Sequence, residues 1–136
     1  MSIRAIPLLI FVFLFYNFIV LLGGGSDPDE VLRQVVLPIP MLNGHTWTFS
    51  WGDLVILLLL IMLFVELLKA TYTSSASLLD HGLSMLVFVV CLIEFLMVRQ
   101  AQTSVFFFIT IATLIDVIAG YTIGIRVARR DLAIGG

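Results

Sequence analysis

Residues 51–73 read WGDLVILLLLIMLFVELLKATYT, an apolar run that carries an acid and a base near its end. A transmembrane helix needs about 20 predominantly apolar residues, and this run is long enough. Glu66 and Lys69 stand three residues apart, so they lie on one face of a helix. The stretch predicts a membrane-spanning helix with a charged stripe toward one end.

Three further apolar segments of similar length accompany this one. The chain has 136 residues, of which 61% are hydrophobic and 12% charged, whereas about a quarter of a soluble domain is charged. The apolar runs show no alternation with a period of two, which favours helices over barrel strands. We therefore expect one all-α integral membrane domain over residues 1–136, an antiparallel bundle with four spans at 6–22, 53–72, 78–99 and 104–125.

The first segment, 6–22, has a rival interpretation as a signal peptide. Gly23–Ser26 matches a small-residue cleavage site only loosely. Pro7 suits the first turn of a helix, where its missing N–H is not needed. We therefore interpret the segment as an uncleaved anchor.

The long loop at 23–52 begins with a helix signal. Asp27, Pro28 and Glu30 match the N-cap, the first helical position and the acid of a capping box. A short amphipathic helix is expected to follow and to lie on the membrane surface, ended by the prolines at 38 and 40. The residues expected on its apolar face are Val31, Leu32, Val35 and Val36.

The second half of this loop alternates apolar and polar residues around Asn43-Gly44. Such a pattern predicts a β-hairpin with a two-residue type I′ turn. Every second residue of its second strand is aromatic, as in the aromatic belt of a membrane interface. These interface aromatics are Trp47, Phe49 and Trp51.

The seven basic residues fall unevenly on the two sides of the predicted bundle, and cytoplasmic loops carry an excess of Lys and Arg. The division predicts that both termini are cytoplasmic and that residues 23–52 lie outside. The five residues on the side of the termini are Arg4, Lys69, Arg126, Arg129 and Arg130, and the two on the other side are Arg33 and Arg99.

Polar residues inside the spans are functional candidates because an ionisable group costs a few kcal/mol there. At 1.5 Å per residue, Glu66 and Asp116 lie roughly 20 Å and 18 Å from the outer ends of their spans, so they share a level. Lys69 can pair with only one of them. We therefore expect one acid to be protonated at neutral pH or a cation to be bound between the two, unless Asp116 turns to Thr113 or a backbone carbonyl.

A second polar pair is predicted closer to the outer side. Asn17 and Glu94 each lie five residues from the outer end of their span, about 7.5 Å along the axis. An amide donor would satisfy a carboxylate that is costly to bury alone. We therefore expect these two side chains to meet.

Small and polar residues follow the helical period on the third and fourth spans, so these stripes are expected to face inward. Gly120 and Gly124 form a small-xxx-small pair, which is typical of close helix packing. Glu30, Asp53 and Asp80 occupy capping positions, and a structural role explains each of them. The stripe of the third span comprises Asp80, Ser84, Val87, Cys91, Glu94 and Val98, and that of the fourth Ala112, Asp116, Gly120 and Gly124.

No enzyme, cofactor or metal signature is found. His45 and His81 fall at opposite ends of the bundle, about 30 Å apart, so they do not bracket a haem. No nucleophile stands beside a base, and no glycine loop precedes a helix in a phosphate-binding pattern. The net charge of −2 gives no reason to expect nucleic acid as a partner.

Over residues 51–130 the chain resembles the phosphate-starvation-inducible PsiE-type small membrane proteins. The resemblance rests on four spans, on Glu66-Leu67-Leu68-Lys69 near the inner end of the second span, and on Arg129-Arg130 after the fourth. It implies a bacterial inner membrane protein. Glu94 and the aromatic hairpin are not matched to that family.

Three functions are compatible with these residues. We favour a non-catalytic accessory or assembly subunit, embedded in membrane lipid, that packs its small-residue faces against partner helices or further copies of itself. The alternative is a proton- or cation-conducting homo-oligomer that uses Glu66, Glu94 and Asp116, with Lys69 as counter-charge. A membrane enzyme acting on a lipid or quinone lacks a catalytic constellation.

Overall fold

The structure, a computed structural model, describes residues 6–71 and 75–135. Four helices pack together, and a two-stranded sheet and a short helix stand at one end of the bundle, which we call the hairpin end; the opposite end is the far end. In chain order the elements are α1 Leu9–Leu22, α2 Pro28–Arg33, β1 Val35–Pro40, β2 Thr46–Ser50, α3 Trp51–Lys69, α4 Ser75–Met97, a 3₁₀ turn Arg99–Ala101 and α5 Ser104–Gly135.

Three helices in the described part of the chain, α3, α4 and α5, are long and apolar enough to cross a membrane. The fourth bundle helix, α1, is apolar but has only 14 residues. It begins at Leu9 instead of Ile6, because Pro7 stands before the helix and its carbonyl accepts the N–H of Ile10 (3.3 Å). A membrane protein therefore follows from the structure, with three candidate spans.

The other helix bounds depart from the prediction in both directions. Helix α3 starts two residues earlier than predicted and ends at Lys69 instead of residue 72. Helix α5 starts at Ser104 as predicted but continues to Gly135, ten residues past the predicted end. Its 32 residues extend over about 48 Å, against about 30 Å of hydrocarbon, so its arginine-rich last turns lie beyond the apolar part.

The β-hairpin is present, with antiparallel pairing of Pro40 with Thr46 and of Ile39 with Trp47. Its turn differs from the predicted type. Only Gly44, at φ +87°, has a positive φ in the turn, and its N–H donates to the carbonyl of Met41 (3.1 Å). The turn is therefore a type I turn followed by a left-handed glycine, since a type I′ turn needs two residues with positive φ.

The amphipathic helix is shorter than predicted. Asp27 caps it, with Oδ1 accepting the N–H of Asp29 (3.1 Å), but it ends at Arg33. The two valines expected on its apolar face, at 35 and 36, belong instead to β1 and are exposed. Val31 and Leu32 are buried in the core of the bundle, so the apolar face of α2 packs on the protein.

At the hairpin end a buried tyrosine connects α1 to the start of α5. The hydroxyl of Tyr16 donates to the carbonyl of Gln100 (2.8 Å) and lies 2.7 Å from Thr103 Oγ1. Its ring packs at 5.0 Å from that of Phe106. The core continues from here along the bundle through Leu9, Val12, Val55, Leu59, Val87, Cys91, Ile109 and Ala112.

Candidate functional site

Polar side chains are buried together toward the far end of the bundle, where α1 and α4 begin and α3 ends. Three of them are acids that are almost fully excluded from solvent: Glu66 is 1% exposed, Asp80 3% and Asp116 4%. One lysine faces these three acids. We call the group the buried polar cluster; its members are Glu66, Lys69, Asp80, His81, Ser84 and Asp116.

Lys69 is the centre of the cluster. Its ammonium group donates to Glu66 Oε1 (2.9 Å), to Asp80 Oδ1 (3.2 Å) and to the backbone carbonyl of Ile6 (2.8 Å). These three bonds use all three donors of the group. Of Glu66 and Asp116, Lys69 bonds to Glu66 alone; its second acid is Asp80, which the prediction did not include, so Lys69 holds α3 and α4 together.

Glu66 has a second role at the start of α1. Its Oε1 atom also accepts the backbone N–H of Leu8, the N-cap residue of that helix (2.6 Å). Helix termini leave N–H groups without partners, which is costly inside a membrane. Glu66 therefore supplies the cap that lets the short α1 begin within the bundle. Its other oxygen, Oε2, is buried without a hydrogen-bond partner in the described structure.

Asp116 receives no such support. The hydroxyl of Ser84 lies beside its carboxyl group but outside hydrogen-bonding geometry, and Ser84 Oγ is itself buried without a partner among the described residues. Glu66 and Asp80 both act on Asp116 electrostatically. The predicted alternative, in which Asp116 turns to Thr113, is not observed. The Thr113 hydroxyl donates instead to the carbonyl of Thr110 (2.6 Å).

Glu66 acts electrostatically on Asp116, with which it was predicted to share a level, and Asp80 acts on both. Asp80 was expected to be a helix cap, but α4 already begins at Ser75, so Asp80 lies inside the helix and is buried against Lys69. Sequence reasoning placed Asp80 on the inward stripe but gave it only a capping role, and it missed His81. The available signal was the polar stripe of α4, on which Asp80 and Ser84 stand one turn apart.

His81 fills the groove that the glycines of α5 leave open. A Cβ atom on Gly120 would lie 2.9 Å from His81 Nδ1, and one on Gly124 would lie 3.3 Å from Nε2. The ring of Tyr121 packs at 5.3 Å from the imidazole. The small-residue stripe therefore faces inward as predicted, but it receives a side chain of this chain's own α4, so it is not free for a partner helix.

The predicted pair at the hairpin end is present. Asn17 Nδ2 donates to Glu94 Oε2 at 3.3 Å and to the carbonyl of Phe13 at 2.9 Å. Ser84 and Glu94 stand ten residues apart on α4, about 15 Å along its axis. The core between them contains buried Val87 and Cys91, so the Asn17–Glu94 pair is separate from the buried polar cluster.

The interface aromatics do not share a single strand. Trp47 and Phe49 lie in β2 with their rings 5.7 Å apart and nearly perpendicular. Trp51 is the first residue of α3 and is half-buried against the core. The predicted capping box explains why Trp51 belongs to α3, because Ser50 is the N-cap of that helix. The N–H of Ser50 donates to Asp53 Oδ2 (3.0 Å), and the N–H of Asp53 donates to Ser50 Oγ (3.3 Å).

Within 6–71 and 75–135, no group of three or more His, Cys, Asp or Glu side chains is placed to hold a metal. The fold and site define the chain as a helical membrane protein with a buried charged cluster. Comparison with protein-family models, curated proteins and solved structures finds no match, so the PsiE-type resemblance stays a prediction.

Proposed function

We propose that all four bundle helices cross the membrane and that both termini are cytoplasmic. Helix α1 is about 21 Å long, shorter than the roughly 30 Å of hydrocarbon, and the carboxylate of Glu66 allows it to begin below the membrane surface. Lys69 is partly buried and bonded to two acids of the cluster, so we do not count it as a flanking charge. The basic residues then divide four to two, which still favours cytoplasmic termini in a bacterial inner membrane.

We further propose that the protein carries protons and that Asp116 holds the transported proton. The observation that supports this is the shortage of positive charge around a buried acid: Lys69 is bonded to Glu66 and Asp80 and makes no bond to Asp116. With all three acids ionised, the cluster would hold two excess negative charges. Such an excess is expensive at low dielectric, and one proton relieves half of it.

Two buried atoms of the cluster that lack hydrogen-bond partners also support a proton on Asp116. Glu66 Oε2 is a buried acceptor without a donor in the described structure, and the buried hydroxyl of Ser84, which can donate or accept, has no partner there. A protonated Asp116 would bring an O–H donor into this environment, whereas an ionised Asp116 would add only acceptors. A carboxyl group that gains a hydrogen bond when protonated and loses charge repulsion at the same time is suited to bind and release a proton.

The side chains on the hairpin side of Asp116 bear on how a proton could cross the bundle. Toward the hairpin end, α4 presents Val87 and Cys91, and the buried hydroxyls of Thr113 and Thr110 on α5 already donate to backbone carbonyls of their own helix. Transfer across the membrane therefore requires a rearrangement of the bundle or a polar path completed between subunits. This agrees with the alternative derived from the sequence, a proton-conducting homo-oligomer, with Glu94 serving the opposite side.

Proton flux into liposomes tests this function. The full-length protein is reconstituted with an internal pH-sensitive dye, and a potassium gradient with valinomycin supplies the driving force. We expect an influx that Asp116→Asn abolishes and that Glu30→Gln, an exposed acid on α2, leaves unchanged. Flux equal to that of empty liposomes, or an Asp116→Asn variant as active as the wild type, would refute proton carriage.

A second candidate is the accessory or assembly subunit. The glycine stripe no longer supports it, because His81 occupies that face. A groove of about 440 Å³ at the hairpin end supports it instead, lined mainly by apolar residues: Phe15, Phe18, Ile19, Leu22, Gly23, Ser26, Val31, Gln34 and Trp51. The groove is wide enough for an apolar side chain of a partner helix.

Native electrophoresis after gentle extraction separates the two functions. A heteromeric complex that is lost on Phe18→Ser, but retained on Phe11→Ser, would support the subunit. Both residues are about half-exposed on α1, and only Phe18 lines the groove. A pure homo-oligomer that conducts protons would support the carrier.

A further inference from the structure

His81 stands between the far end of the bundle and Asp116. Asp116, Gly120 and Gly124 are spaced by four residues on α5, so they lie one above the other on one face. The imidazole contacts the positions of both glycines and is 8% exposed. Gly120 is one turn, about 6 Å, beyond Asp116, and Gly124 is one turn further. The imidazole ring therefore lies next to Asp116 on the side of the far end.

The two ring nitrogens point to different levels of this path. Nδ1 lies at Gly120, on the side of Asp116, and Nε2 lies at Gly124, on the side of the far end. A neutral imidazole can accept a proton at one nitrogen and release one from the other, and histidine does so near neutral pH. The ring is therefore oriented along the direction in which a proton would have to move.

We infer that His81 relays protons between the water at the far end and Asp116. The inference rests on the proposed proton carriage. Nε2 accepts a proton from water, which gives an imidazolium ion. The Nδ1–H group then passes its proton to the Asp116 carboxylate, through one bridging water molecule across the remaining turn. The neutral ring returns to its first tautomer by exchange with water.

The charged and titratable groups around the ring suit a relay. Asp80 on α4 and Lys69 on α3 act on the imidazole electrostatically, Tyr121 on α5 packs against it, and Asp116 lies one turn away on the same stripe. Burial opposes the imidazolium ion most strongly, Asp80 favours it and Lys69 also opposes it. A ring held between opposite charges can change its protonation state in both directions.

The relay also explains why glycine stands at 120 and 124. A methyl group at 120 would come within 2.9 Å of Nδ1, a contact too close to leave the ring in place. The glycines leave a slot of imidazole width between α4 and α5. We therefore assign the small-residue stripe to His81 rather than to helix association.

The test is chemical rescue in the liposome assay. We expect His81→Ala to slow proton flux roughly tenfold or more, since general acid–base groups contribute at least this much. Added imidazole should enter the vacated slot and restore the flux. His81→Gln keeps the size and polarity of the side chain and should be equally slow, which separates proton transfer from packing.

Two control variants test whether the rescue depends on the vacated slot and on Asp116. Imidazole itself moves protons with its neutral form, so rescue is counted only if His81→Ala/Asp116→Asn lacks it. A Gly120→Ala change in the His81→Ala background should narrow the slot and weaken the rescue. If His81→Gln conducts like the wild type while Asp116→Asn is inactive, the relay is wrong and the proposed function stands. If Asp116→Asn conducts normally, the proposed function itself fails.

Discussion

Replacing Lys69 with methionine tests the buried polar cluster as a structural unit. The change keeps the length of the side chain and removes the ammonium group, which donates to Glu66, Asp80 and the carbonyl of Ile6. Two carboxylates, at 1% and 4% side-chain exposure, then lose their cation. Breaking a buried ion pair from one side costs about 3–5 kcal/mol because the remaining charge is left uncompensated.

Protonation sets an upper limit to this cost. Adding a proton to an ordinary carboxyl group at neutral pH costs about 4 kcal/mol, so each orphaned acid can be neutralised at that expense. We therefore expect Lys69→Met to lower the free energy of unfolding by about 3–5 kcal/mol. Adding Glu66→Gln and Asp80→Asn removes the orphaned charges, and we expect this triple variant to recover at least about 2 kcal/mol.

The measurement is unfolding by a denaturing detergent in mixed micelles, followed by tryptophan fluorescence. Leu68→Met is the matched control, because Leu68 is 50% exposed beside Lys69 and its change should stay within about 0.5 kcal/mol. A loss of less than about 1 kcal/mol for Lys69→Met, the range of a solvated ion pair, would show that the cluster is not buried as described.

Three further predictions concern the hairpin end. Gly44→Val should destabilise the hairpin by about 1–2 kcal/mol, because φ is +87° there, and unchanged unfolding would count against the turn. Asn17→Leu should cost about 1–2 kcal/mol more than Phe18→Leu in the same unfolding assay, since it leaves Glu94 without its amide donor; equal effects would remove the pairing. A cysteine at Asn43 should react with an impermeant thiol reagent in whole cells, and labelling only after lysis would reverse the orientation.

Much of the helical framework could be predicted because lipid imposes a simple rule. Apolar runs of membrane length must form helices, and Ser50 with Asp53 fixed the start of α3 to within two residues. The Asn17–Glu94 bond followed from depth alone, since both residues lie the same distance from the ends of their helices. The depth of a residue in a helix follows from the constant rise per residue, so it can be predicted without knowing how the helices pack.

The sequence-based predictions were wrong where contacts between distant parts of the chain determine the local structure. Val35 and Val36 fit a helical face, but pairing with β2 draws β-branched residues into a strand. Asp80 resembled a helix cap because the start of α4 was placed three residues too late. The sequence places His81 at one end of the bundle but not in the cluster, since no sequence pattern reveals that the glycines of α5 form a slot for it.

The protonation of Asp116 inside the bundle can be measured directly. Infrared difference spectroscopy on the reconstituted protein observes protonated carboxyl groups directly. We predict a protonated-carboxyl band at neutral pH that disappears in Asp116→Asn and persists in Glu30→Gln. A spectrum without this band, or a band that survives Asp116→Asn, would contradict the assignment.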